Sequence, residues 1–153
     1  MKKVLVALDY NPVSEQVAEA GYKIAQNMGA QVCLIHTLAD ISYYGIQYPH
    51  FLGYDGYNEM TTDLSLISDL RKIAEDFLQK AAAHLKDPEV TTHLAEGETS
   101  RSILDYAEEW KADLIVMGTH SHSVLEKLLM GTVASKVLEH TKIPVLMIPI
   151  KKE

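Results

Sequence analysis

The apolar residues of this chain lie in short continuous runs, and between these runs they recur at helical spacing. The run from Lys3 to Leu8 is followed by a helical stripe ending near Gly29, and a second run covers Gln31 to Thr37. A continuous apolar run bounded by polar residues is typical of a strand buried on both faces, as in parallel sheets. Strand, helix and strand joined by short connections form the βαβ unit of such a sheet. This order of elements constrains the fold more than any other feature.

The same alternation continues to the end of the chain. Further strands are predicted at Val90–Leu94, Leu114–Met117 and Val145–Ile150, and further helices from Leu64 to Leu85, after a cap at Thr99 or Ser100, and from Thr132 onward. Val90–Leu94 is less apolar and Pro149 interrupts the last run, which favours edge positions for both strands. We expect one domain over residues 1–153, a doubly wound, Rossmann-like α/β fold. Its five-stranded parallel sheet would carry helices on both faces and bind ligands at the carboxyl ends of its strands.

Composition excludes several classes of protein. The net charge of −7 argues against a nucleic-acid surface, since proteins that bind the phosphate backbone need a basic face. No apolar run approaches the ~18 residues of a membrane span. The single cysteine, Cys33, lies in an apolar run, where we expect it to pack as a small hydrophobe rather than act as a nucleophile. These features predict a cytoplasmic protein.

A tyrosine-rich insertion at about residues 38–62 interrupts the alternation. It holds most of the aromatic residues of the chain, namely Tyr43, Tyr44, Tyr48, Phe51, Tyr54 and Tyr57. The insertion is too long for an ordinary βα connection, where about 2–6 residues are usual. Three interpretations remain open: a lid over a ligand, an interface for another protein, or a loop packed on itself.

The segment after Met117 predicts a phosphate site. Gly118 ends a buried strand, and Gly131 with Thr132 opens a helix, so that free backbone N–H groups and the positive end of the helix dipole would point at one spot. The spacing matches neither a Walker A loop nor G-x-G-x-x-G. A metal site at His120 and His122 is the alternative, but no carboxylate or cysteine adjoins them. We therefore expect His120 near phosphate and His122 on the surface.

The order Gly118, two residues, Ser121, nine residues, Gly131 and Thr132 resembles the ATP-binding pattern of the universal stress protein family. That pattern is Gly, two residues, Gly, nine residues, Gly, then Ser or Thr. The resemblance extends over nearly the whole chain through VLVALD, IHT, DLIVMGTH and GTVASKVLEHTKIPVLMIP. Ser121 replaces the middle glycine. If that position needs a left-handed backbone, the serine costs on the order of 1 kcal/mol, but its hydroxyl could also donate to a phosphate.

The resemblance implies an adenine-nucleotide site. Asp9 would bind the ribose hydroxyls, unless it only caps the following helix. Ala7 and Thr37 would line the adenine, Thr37 through its backbone, and Met117 would pack on the base or sugar. The implied phosphate ligands are Gly118, His120, Ser121, Gly131, Thr132 and the backbone N–H of Val133. ATP, ADP and AMP share all these features. Mg²⁺ could bridge phosphate oxygens, although the loop has no pair of carboxylates for a dedicated metal cage.

The resemblance also implies a homodimer formed by antiparallel pairing of the last strand, Val145–Ile150. Pairing would protect an apolar edge from aggregation. The implied function is a nucleotide-dependent binding or regulatory module of the stress response. Efficient hydrolysis is not expected, since the loop offers no carboxylate base, P-loop lysine or arginine finger. The alternatives are a nucleotide-free dimeric scaffold and a slow ATPase or autophosphorylating enzyme.

Overall fold

The computed structural model describes residues 2–10, 12–38, 64–121, 128–129 and 131–150. Within these residues the strands are β1 (Lys3–Ala7), β2 (Gln31–Leu38), β3 (Thr91–Glu96), β4 (Leu114–Gly118), β5 (His120–Ser121), β6 (Leu128–Leu129) and β7 (Val145–Ile148). The helices are α1 (Ser14–Met28), α2 (Leu64–His84), α3 (Thr99–Trp110) and α4 (Thr132–His140). In these ranges no helix combines the length and the apolar character needed to cross a bilayer. The tyrosine-rich insertion, apart from Leu38, lies outside the described residues, so its three interpretations stay open.

Five of the strands form one parallel sheet in the order β3-β2-β1-β4-β7. The chain runs from β1 through β2 to β3, returns to β4 beside β1, and continues to β7. The direction of winding therefore reverses between β1 and β4, and doubly wound sheets bind ligands outside the carboxyl ends of the strands at such a reversal. The two strands predicted at edges, β3 and β7, lie at the two edges of this sheet.

The reversal also places helices on both faces, because each strand–helix–strand crossover is right-handed. One face, here called the α1/α2 face, has a core that includes Val6, Val17 and Leu78. The other, the α3/α4 face, has a core that includes Ile103 and Val137. The predicted doubly wound α/β fold with a five-stranded parallel sheet is confirmed.

Helix α1 starts later than its sequence suggests. Asn11 and Pro12 resemble an N-cap and a first helical residue, but the helix begins at Ser14 with Val13 at the N-cap position. Pro12 lies in a turn that precedes the helix. The predicted end is confirmed, because Gly29 has φ 64° and ψ 35°, the left-handed conformation that suits a glycine after a helix.

Candidate functional site

Four of the predicted site residues lie at the carboxyl ends of β1 and β4. Ala7 is the last residue of β1, and Asp9 follows it with an exposed side chain. Met117 and Gly118 are the last two residues of β4. Because β1 and β4 are paired directly, both ends meet at the point where the winding reverses.

The predicted base-lining residues face the same side of the sheet. Met117 belongs to the α3/α4 core, and Ala7 and Val133 pack against that core. Thr37 faces the same way, because it follows Ile35 of this core by two residues along β2 and side chains alternate along a strand. The structure therefore gathers these residues on the α3/α4 face.

The start of α4 has no acceptor or anion of its own among the described residues. Gly131 precedes the helix with φ 72° and ψ 156°, a conformation that essentially only glycine adopts. No side chain caps the first turn, and that turn contains no acidic residue. Thr132 is exposed and Val133 is half-buried. Unpaired N–H groups and an unmatched helix dipole are the features with which a helix start binds an anion.

A glutamate carboxylate of the chain caps the start of α3. The prediction of Thr99 or Ser100 as the cap was wrong, because the N-cap residue is Glu98. Its carboxylate accepts hydrogen bonds at 2.8 Å from the backbone N–H of Arg101 and from the hydroxyl of Ser100. The ammonium of Lys136 in α4 lies 3.4 Å from the same carboxylate. Burial raises the pKa of Glu98, but these three hydrogen bonds outweigh burial and hold the pKa below its ordinary value. Ser100 is not the cap, because it lies inside the helix and its hydroxyl donates to the capping carboxylate of Glu98.

Close packing against Ile150 and Val17 explains why residue 118 is a glycine. A Cβ atom there would lie 2.5 Å from Cδ1 of Ile150 and 2.8 Å from Cγ2 of Val17, on the α1/α2 face. Thr119, which the sequence did not single out, holds Ile150 in place, since its hydroxyl accepts the Ile150 N–H at 3.0 Å. The Thr119 N–H donates to the carbonyl of Ile148, also at 3.0 Å. Gly118 is thus explained without a ligand, and the start of α4 is the stronger indication of a phosphate site.

Two adjacent residues of β2 carry buried polar atoms that have no hydrogen-bond partner among the described residues. These atoms are Oγ1 of Thr37 and Nε2 of His36. The His36 ring faces the opposite side from Thr37, with its centroid 4.4 Å from that of Tyr10 and 5.1 Å from that of Phe77. Its Nδ1 donates to the carbonyl of Leu8 at 2.8 Å. Burial lowers the pKa of His36, although this hydrogen bond raises it. The sequence indicated neither a role for His36 nor a side-chain role for Thr37.

The loop after β4 contains a short antiparallel pairing. His120 and Ser121 of β5 pair with Leu129 and Leu128 of β6. An extended strand accommodates serine without the left-handed strain considered from the sequence. The side chains of His120 and Ser121, and all of His122, lie outside the described residues, so their roles stay predictions. Among the described residues no group of three or more His, Cys, Asp or Glu is placed to hold a metal.

Cys33 packs as predicted. It is fully buried, and its Sγ lies 3.8 Å from the hydroxyl of Tyr106. Burial raises the pKa of the Cys33 thiol, although hydrogen bonds lower it. The thiol is therefore protonated at neutral pH and is a poor nucleophile.

Solved structures share this fold. A protein of the universal stress protein family from Burkholderia pseudomallei has a TM-score of 0.67 at 25% identity, with 97% of this chain and 96% of that chain covered. A universal stress protein from Archaeoglobus fulgidus, solved in complex with dAMP, has a TM-score of 0.63 at 22% identity, with 96% and 97% covered. A third, a universal stress protein in complex with cAMP, has a TM-score of 0.56 at 19% identity, with 96% and 95% covered.

Relatives are similar along the whole chain. A universal stress protein of Methanocaldococcus jannaschii is 29% identical over 158 residues, which cover 99% of this chain and 84% of the relative. Universal stress protein A homolog 2 of Coxiella burnetii is 30% identical over 151 residues, which cover 98% and 96%. The profile of the universal stress protein family matches residues 1–149. The chain belongs to the universal stress protein family.

Proposed function

We propose that this protein binds an adenine nucleotide, ATP in the first place, at the reversal between β1 and β4. Asp9 holds the ribose, and Ala7, Thr37 and Met117 surround the base. The phosphates lie at the start of α4, and the residues around them are Gly118, His120, Ser121, Gly131, Thr132 and the N–H of Val133. The bound nucleotide changes what the protein binds in the stress response.

The observation that carries this proposal is the uncompensated start of α4. It follows the loop from β4 and begins at a glycine with φ 72°, and within the described part of the chain it has neither a side-chain cap nor an acidic residue in its first turn. Two proteins of the same fold were solved with dAMP and cAMP, which supports an adenine nucleotide as the anion. Mg²⁺, if bound with the nucleotide, would neutralise part of the phosphate charge.

The same site offers little for hydrolysis. The chain has no Walker A lysine, and the first turn of α4 contains no carboxylate that could orient water. We therefore expect a binding protein with slow turnover at most. A phosphate-release assay tests this expectation, and a rate of ordinary kinases, about 1–100 s⁻¹, would contradict it.

Thermal melting during a titration with ATP tests nucleotide binding. At 100 times Kd, a ligand that binds only the folded state adds about 2.7 kcal/mol to its stability. Fluorescence of Trp110 is a poorer readout, because Trp110 lies at the opposite end of the sheet from the proposed site. Its backbone carbonyl accepts a hydrogen bond at 3.1 Å from the ammonium of Lys3, the first residue of β1. Mass spectrometry of the purified protein would detect retained nucleotide. Unchanged melting with millimolar ATP, ADP and AMP would refute the proposal.

The proposed partner is a second copy, paired through β7. The carbonyls of Pro144 and Ile148 accept hydrogen bonds from the β4 side of the strand. Because backbone groups alternate in direction along a strand, the N–H and C=O groups of Val145 and Met147 point away from β4, toward the open edge. Met147→Pro removes an outward N–H and leaves the ladder to β4 intact, which a strand at an edge tolerates. Sedimentation should show a dimer for the wild type and for the control Met147→Leu, and a monomer for Met147→Pro. A monomeric wild type would refute the dimer.

A further inference from the structure

Thr37 is the second-last residue of β2 and lies at the carboxyl end of the sheet. Its side chain is 6% exposed and faces the α3/α4 side, as do Ala7 of β1 and Met117 of β4. In the register of the sheet its neighbour on β3 is Ala95, whose side chain is too small to reach across to it with a polar group. The hydroxyl of Thr37 therefore lies on the face where the base-lining residues gather, with no polar side chain opposite it on β3.

This hydroxyl differs from several other threonine hydroxyls of the described residues. Thr91 donates to the carbonyl of Val32, Thr119 accepts from the N–H of Ile150, and Thr141 donates to the carbonyl of Ile143. Oγ1 of Thr37 is the one buried side-chain hydroxyl of the described residues that has no hydrogen-bond partner. A buried hydroxyl without a hydrogen bond destabilises the folded state, so most such groups are paired with protein, water or ligand.

The strand order indicates which part of a nucleotide would meet this hydroxyl. The start of α4 follows β4, Asp9 follows β1, and Thr37 ends β2, in the spatial order β4-β1-β2. Neighbouring strands are about 4.8 Å apart, so β4 and β2 are separated by roughly 10 Å. A nucleotide with phosphate at β4 and ribose at β1 places its base over β2.

We propose that the Thr37 hydroxyl hydrogen-bonds the base of the bound nucleotide. This inference rests on the proposed nucleotide site and adds to it a side-chain contact, where the sequence implied only the backbone of Thr37. A hydroxyl both donates and accepts, so it can pair with either kind of group on a purine edge. The ligand thereby completes a hydrogen bond that the free protein lacks.

Calorimetric titration of wild type, Thr37→Val and Thr37→Ser with ATP and 2′-deoxy-ATP tests this contact. Valine keeps the branched shape and loses the hydroxyl, whereas serine keeps the hydroxyl. Thr37→Val should bind both nucleotides about three- to tenfold more weakly, and Thr37→Ser should recover most of that loss. Without ligand, Thr37→Val should melt no lower than the wild type, because it removes a buried unpaired group. If the hydroxyl instead stabilised the folded protein by itself, Thr37→Val would lower the melting temperature.

The outcomes separate the inference from the function on which it rests. If the wild type binds neither nucleotide, the nucleotide site itself is wrong, and the inference is wrong with it. If the wild type binds but Thr37→Val binds equally well, the site stands and the hydroxyl contact is refuted. If the loss in Thr37→Val occurs with ATP and vanishes with 2′-deoxy-ATP, the hydroxyl meets the sugar, and the assignment to the base is refuted.

Discussion

Helices α3 and α4 pack on the same face of the sheet, yet their first turns are completed in different ways. At α3 the Glu98 carboxylate accepts the N–H of Arg101 and neutralises the positive end of the helix. At α4 a glycine precedes the helix, with no side-chain cap and no acidic residue in the first turn. Helix α1, also uncapped by a side chain, has Glu15 in its first turn. Of these three starts, the one that follows the reversal strand β4 is the one with no carboxylate at its first turn among the described residues, which indicates where an external anion belongs.

Placing a carboxylate at the start of α4 should abolish this difference, with the largest effect of all our predictions. Thr132→Asp puts a negative charge where phosphate would bind, and like charges held together cost several kcal/mol. ATP affinity should fall about a hundredfold or more. The free protein should be as stable as the wild type, or more stable by about 0.3–1 kcal/mol, because the aspartate favours the helix dipole.

Thr132→Asn is the matched control, since it has nearly the same shape as aspartate and no charge. It should retain most of the affinity for ATP in the same calorimetric titration. Equal affinities for the aspartate and asparagine variants would mean that no phosphate lies at this helix start.

The glycine before α4 should be harder to replace than a left-handed glycine elsewhere. Gly131→Ala forces a Cβ into the conformation with φ 72° and ψ 156°, which costs on the order of 1–3 kcal/mol. Gly29→Ala is the control, because Gly29 is also at positive φ but in the ordinary left-handed region with nothing within 4 Å of its Cβ position. Its cost should be about 1 kcal/mol. Urea unfolding measures both, and an equal or smaller loss at Gly131 would contradict the conformation described.

Removing the carboxylate at α3 should have a moderate effect. Glu98→Ala deletes the acceptor for the Arg101 N–H and the partner of the Ser100 hydroxyl, and losing a cap costs about 0.5–2 kcal/mol. Glu98→Gln keeps an acceptor oxygen and should lose less, since the half-exposed pair with Lys136 contributes little. If alanine were tolerated without loss in urea unfolding, Glu98 would not be the effective cap.

The sequence predicted the fold well because continuous apolar runs and helical stripes are local patterns that report burial directly. It predicted the edge strands for the same reason, from the polar residues of β3 and from Pro149. It failed at the α3 cap, because Thr99 and Ser100 are both good capping types, whereas the helix already includes them and Glu98 accepts the N–H of Arg101. It likewise could not relate Gly118 to Ile150, or find that the Thr37 hydroxyl is unpaired, since both depend on contacts between distant segments.

The smallest expected difference between the starts of α3 and α4 is in how their contributions to the free energy of unfolding change in acid. The pKa of Glu98 is held below its ordinary value of 4.5, so the folded state binds the proton less readily than the unfolded chain. Its contribution to stability is therefore present above pH 4.5 and is lost as the pH falls through the folded pKa. The start of α4 has no acidic residue in its first turn and makes no such contribution.

The measurement is the free energy of unfolding of the wild type and Glu98→Gln from about pH 7 to pH 3. Buried His36, whose pKa is lowered, contributes stability above pH 6.5 that is lost as the pH falls below it, and it does so equally in both proteins. The two curves should thus run parallel until about pH 4.5 and converge only below it, where Glu98 is protonated. Added salt should narrow the gap between them, because the carboxylate is half exposed. Convergence between pH 6.5 and 5 would instead assign the acid-sensitive contact to a group other than the α3 cap.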